Sequence, residues 1–156
     1  MKEMVRRDFC FKIKGITDVF APNKIIDGYV RPYGEPHMWI SENITKDNEW
    51  IELQWENNID INEIHVTFND NVNEDLINLH HHHTDFPVIP ELIKNYKIEV
   101  YKDNKWEIII SKKNNRERNA IFKNINKMSV CKLRINIEAT NANGSKRAEL
   151  VEVRVY

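Results

Sequence analysis

Trp50-Ile51-Glu52-Leu53-Gln54-Trp55 (WIELQW, residues 50–55) alternates apolar and polar side chains without a break. Successive side chains of an extended strand point to opposite faces, so Ile51, Leu53 and Trp55 share one face and Glu52 and Gln54 the other. The β-branched and aromatic content suits a pleated, half-buried surface. The same period of two recurs outward in both directions, far more clearly than a helical period. Phe9, Phe11 and Ile13 alternate with Cys10, Lys12 and Lys14, a first strand ended by Gly15. After a turn at Asn57-Asn58 come Ile64, Val66 and Phe68, with His65 and Thr67 opposite. Tyr96–Tyr101 (YKIEVY) follows, then a hairpin turn at Asp103-Asn104 and the segment Trp106–Ile110. Ala120–Phe122, Leu133–Ile137 and Val151–Val155 complete eight or nine short strands, with no convincing helix. These features predict an all-β protein, an antiparallel β-sandwich of the jelly-roll kind. Trp50–Trp55 and Tyr96–Tyr101 are expected inside the sheets, and Phe68 and Trp106 among the buried aromatics.

Composition narrows the class. A chain of 156 residues with 41% hydrophobic and 30% charged residues is long enough to bury a core, and with no internal repeat or linker it reads as one domain over 1–156. A formal net charge of −1 offers no field for a nucleic-acid backbone. No run of about 18 apolar residues suggests a membrane span, and the first 20 residues have no hydrophobic signal core, which leaves the compartment open. Cys10 and Cys131 are too few for a disulfide scaffold and read as buried thiols within strands. The many Asn, Ile and Lys residues read as genomic bias.

Two stretches break the alternation. Asn23–Glu42 (NKIIDGYVRPYGEPHMWISE) turns at Asp27-Gly28 and runs through Pro32, Gly34 and Pro36, each hostile to regular structure, so it is expected to be a long, shaped loop. Its Arg31, Tyr33 and His37 are the candidates for a polar ligand, joined by Arg116 from the charged connection at 114–118. Trp39 is either a sugar-stacking platform or a residue packed at the end of the core. The second stretch, Asn69–Pro90, is a polar insertion holding His80–His83. Alternate histidines there could chelate zinc or nickel, but a solvated loop that is dispensable for folding is the expectation.

Catalytic motifs are missing. The four glycines, Gly15, Gly28, Gly34 and Gly144, spell neither a dinucleotide fingerprint nor a phosphate-binding loop. There is no G-x-S-x-G and no H-E-x-x-H, so no flavin or nucleotide is expected within this chain.

The pieces IIDG, WIS, WIELQW, LIKNYKIEVYKDNKW and KLRINIEATNANGSKRAELVEVRVY resemble the strand signature of the discoidin, or coagulation-factor C-type, galactose-binding-like family. The resemblance covers Lys24 to Tyr156. The pairing of ELIKNYKIEV with EATN and VEVRVY further resembles the C-terminal domain of bacterial FAD-dependent oxidoreductases. The family implies a non-catalytic binding or accessory module for carbohydrate, or one attached to a neighbouring catalytic domain. It also implies a structural calcium held by Asp27, Glu152 (four residues before the closing aromatic, Tyr156) and the carbonyls of Lys24 and Val151. Two departures stand out: Cys131 sits well before the end, where extracellular members carry a closing disulfide, and the histidine insertion is foreign to the pattern. A metal-dependent enzyme using His80–His83 and a purely structural interaction domain remain the alternatives.

Overall fold

Alternation carries apolar side chains to one face of each strand, and two such faces cover each other. In a computed structural model, which describes residues 19–31, 34–44, 48–70, 88–142 and 147–156, a short 3-10 turn at Pro22–Ile26 precedes eight strands. These are β1 (Trp39–Asn43), β2 (Glu49–Ile61), β3 (Ile64–Phe68), β4 (Ile93–Lys102), β5 (Lys105–Lys112), β6 (Asn119–Phe122), β7 (Met128–Thr140) and β8 (Arg147–Val155). They form two four-stranded antiparallel sheets, ordered β1-β8-β3-β6 and β2-β7-β4-β5. The expected all-β sandwich is therefore observed. Among the described residues no helix is long and apolar enough to cross a membrane.

Ile64, Val66 and Phe68 on one sheet face Tyr96, Ile98, Leu133, Ile135 and Ile137 on the other, all essentially inaccessible to water. Phe68 and Tyr96 meet across the gap, with ring centroids 4.9 Å apart and planes tilted by 54°, a favourable aromatic arrangement. The hairpin at Asp103-Asn104 is as expected: both residues take positive φ (49° and 62°), which a two-residue turn matched to strand twist requires. Asn48, Asn114 and Asn124 also adopt positive φ, so several of the asparagines have a backbone role and are not mere compositional bias.

Three departures share one cause, a slip of register. Asn57-Asn58 is no turn; it lies within β2, where the register against β7 slips between Gln54 and Ile59. Trp106 was expected among the buried aromatics, but the register of β5 slips between Ile108 and Ile110. Trp106 therefore lies outward beside Tyr101, half-buried, and Ile110 inward. In β8, Leu150 pairs with Phe68 and Glu152 with Thr67, leaving Val151 as an extra residue. In β5 and β8 the slip is a one-residue β-bulge, and in β2 it is three residues long; each moves the alternation by an odd number of positions. Further, β2 is an edge strand, although it was expected inside its sheet. Trp39 to Glu42, expected in the loop, is strand β1. Cys131, in β7, is half-buried rather than a buried thiol. The strand expected at Phe9–Ile13, with Cys10, lies outside the described residues.

Burial pushes the Tyr96 phenol well above its ordinary range, and its hydroxyl has no hydrogen-bond partner among the described residues. A buried, unpaired hydroxyl destabilises by about 1–3 kcal/mol. Denaturant unfolding should thus show opposite effects at the two touching rings. Phe68→Ala is expected to lose about 3–5 kcal/mol, whereas Tyr96→Phe should match or exceed the wild type.

Candidate functional site

The end of the sandwich where β3 stops, β5 stops and β6 begins is tied by side chains whose polar groups bond backbone. Asn115 is fully buried. Its Nδ2 donates to Ile93 O (2.9 Å) and Glu117 O (3.0 Å), and its Oδ1 accepts from Glu117 N–H at 3.3 Å. Its own N–H donates to Lys94 O at 2.8 Å. Asn141 Nδ2 donates to Leu92 O (2.9 Å) and Asn115 O (3.3 Å). The connection that crosses from β5 in one sheet to β6 in the other is thereby fixed, and it carries Arg116 and Arg118.

Arg118 joins further loops to this connection. Its Nη2 donates to Val30 O at 2.6 Å. Its Nε lies 3.2 Å from Asp70 Oδ1, a charge contact without hydrogen-bond alignment. Its carbonyl accepts from Phe68 N–H at 2.8 Å. One guanidinium therefore brings together the stretch bearing Tyr29 and Arg31, the start of the connection after β3, and the stretch bearing Arg116. Arg31 and Arg116 are both exposed.

The other candidates fare differently. Trp39 is only 7% exposed and belongs to the core, so of its two readings the packed one holds and its ring offers no platform. His37 is also 7% exposed. Its Nδ1 donates to Asp27 Oδ2 at 2.7 Å, and its ring stacks on Tyr29 at 4.1 Å. It positions the loop rather than facing a ligand, at φ +46°, a conformation histidine seldom takes. Tyr33 and His80–His83 lie outside the described residues. Tyr29, which sequence reading passed over, is 48% exposed with one ring face against His37. A Tyr two residues after Asp27 in a loop was the available signal.

The opening stretch and the closing strand do meet, since the Pro22–Ile26 turn packs on β8 and β1. The two carboxylates expected for calcium are nevertheless engaged with nitrogen. Asp27 Oδ1 accepts from Tyr29 N–H at 3.1 Å while Oδ2 takes His37. Glu152, nearly inaccessible, accepts from Arg154 Nη2 at 2.7 Å. The Lys24 ammonium pairs with Glu35, which raises the lysine pKa and lowers that of the carboxylate. Val151 is buried. Among the described residues no three His, Cys, Asp or Glu side chains converge on one point. Calcium takes six to eight oxygens, and a cation at these two carboxylates would have to displace both His37 and Arg154.

Comparison with known proteins finds likeness in structure only. No family model matches the sequence, and no curated protein matches it. The family 32 carbohydrate-binding module of Streptococcus pneumoniae EndoD superposes with TM-score 0.68 at 10% identity, covering 95% of this chain and 90% of its own. Chitosan-binding module 2 of a Paenibacillus sp. IK-5 chitosanase/glucanase, solved with chitotriose, gives 0.63 at 14% identity and coverages of 90% and 88%. The family 32 module of Clostridium perfringens NanJ, solved with galactose, gives 0.61 at 10% identity, covering 89% and 86%. The fold is thus the one the galactose-binding-like resemblance implied. None of these three carries the narrower likeness to a FAD-dependent oxidoreductase.

Two measurements check this end of the molecule. Thermal unfolding of metal-stripped protein in EDTA and in millimolar calcium should give coincident midpoints; a rise with calcium that Asp27→Ala abolishes would restore the calcium clasp. Glu149 supplies a pH test. Burial, with a smaller push from Glu91, raises its pKa despite the hydrogen bond from Asn69. A raised carboxyl favours folding while protonated, and that contribution is lost as pH rises through the folded-state value. Glu149→Gln should therefore melt higher than wild type at neutral pH, with the difference shrinking toward acid.

Proposed function

We propose that this chain is a non-catalytic carbohydrate-binding module, which holds a sugar at the loop end built by Arg118 and serves a neighbouring catalytic domain. The observation that carries the reading is the lashing of loops by that guanidinium. It ties the stretch bearing Tyr29 and Arg31 to the connection bearing Arg116, and all three side chains are exposed. Tyr29 presents the ring face that His37 does not cover, an apolar surface suited to the C–H face of a pyranose. Arg31 and Arg116 supply forked donors for vicinal hydroxyls or a sugar carboxylate. That solved neighbours of this fold include modules bound to galactose and to chitotriose supports the ligand class.

The residues act as binders only: nothing in their arrangement pairs a nucleophile with a base, so substrate would be held and not transformed. Glycan-array screening followed by calorimetry tests this. Arg31→Ala and Arg116→Ala should each weaken binding about tenfold, or about 1.4 kcal/mol. Tyr29→Ala should do the same and Tyr29→Phe should not. Absence of any glycan signal, or affinity indifferent to all these variants, would refute the assignment.

A further inference from the structure

We propose a second carbohydrate surface on the outer face of the β2-β7-β4-β5 sheet, shaped for the flat side of an extended, uncharged, β-linked polysaccharide. This rests on the loop-end reading only for the class of ligand; the residues are separate. Alternation sends Trp50 and Glu52 of β2, Arg134 and Asn136 of β7, Glu99 and Tyr101 of β4, and Trp106 of β5 to this face. The Arg134 guanidinium lies 4.4 Å from the Trp50 ring centre and 3.9 Å from that of Trp106. Tyr101 tilts against Trp106 at 5.3 Å. The aromatics thus reach across the whole sheet, three strand spacings or about 14 Å. Trp50 is nevertheless 51% exposed and Ile108 55%. Large apolar side chains left this exposed on a sheet face mark a candidate contact surface.

Charge selects the occupant. Lys97, Lys132 and Arg134 on this face are matched by Glu52, Glu99 and Glu138. Glu52 meets Arg134 at 3.0 Å and Lys132 at 3.4 Å, and Lys97 meets Glu138 at 2.5 Å. With its charges balanced, the face has no excess field for a polyanion, so a neutral chain with apolar ring faces and hydroxyl edges complements it best. Two groups on this face also lack hydrogen-bond partners among the described residues: Arg134 Nε and Asn136 Oδ1. Both atoms are shielded from water as the face stands, and a turn of the Asn136 amide about its own χ angles would bring it to a sugar hydroxyl. Aromatic rings with an adjacent unfilled amide suit a sugar better than a purely apolar partner.

The test is depletion of protein from solution by insoluble chitin and by microcrystalline cellulose, with gel filtration and thermal unfolding of each variant alongside. Wild type should be retained by at least one of the two. Trp50→Ala should release it about tenfold more readily, and Trp50→Ala with Trp106→Phe further still. Arg31→Ala with Arg116→Ala should leave retention intact while abolishing soluble-sugar binding. No retention by either polymer, or folded face variants retained like wild type, would overturn the proposal without touching the loop-end site. A wild-type dimer that Trp50→Ala converts to monomer would overturn it in favour of self-association. Loss of retention in the loop variants alone would assign polymer binding to the loop end.

Discussion

A single buried side-chain amide governs how the loop end of this sandwich is built. Asn115 sits with no exposure at the place where the chain leaves one sheet for the other, and its amide satisfies three backbone groups that would otherwise be buried unpaired. An amide so placed stabilises only while every partner is in position, since each orphaned group brings a desolvation penalty. The start of β4, the β5-to-β6 connection and the residue following β7 are consequently held to one another. Arg116 and Arg118 inherit that rigidity, and Arg118 passes it on to the loop bearing Tyr29 and Arg31.

The strands were legible because burial on one face imposes a period of two, and WIELQW and YKIEVY show it plainly. What periodicity hides is the bulge. One extra residue near Ile109 turned Trp106 outward, a longer slip after Gln54 absorbed the supposed Asn57-Asn58 turn, and Val151 separates Leu150 from Val153 on the inner face. An inserted residue changes no local composition, so alternation remains readable on both sides while its phase has moved. Edge position was equally hidden: β2 has the pattern of an interior strand, and only pairing decides which neighbour it lacks.

The site was legible in part. Arg31 and Arg116 were singled out because charged residues in irregular segments have few structural duties, and both are exposed. Trp39, read as either a platform or a packed ring, fills the core, and His37, read as a ligand group, bonds Asp27. Tyr29, Arg118 and the Trp50–Arg134–Trp106 assembly were missed for a common reason. Each depends on juxtaposing segments far apart in the chain, and register, unlike composition, cannot be seen one segment at a time.

The asparagines and aspartate at positive φ have an effect on the denatured chain. Positions such as Asn48, Asp103, Asn104, Asn114 and Asn124 take a backbone conformation for which glycine is the usual choice, and the whole chain has only four glycines. Asn and Asp reach that region at modest strain because their short polar side chains bond locally. Unlike glycine, they do not widen the range of conformations open to the unfolded chain. Part of the resistance of this sandwich to unfolding therefore resides in a narrower disordered ensemble, a reserve that no inventory of native contacts records.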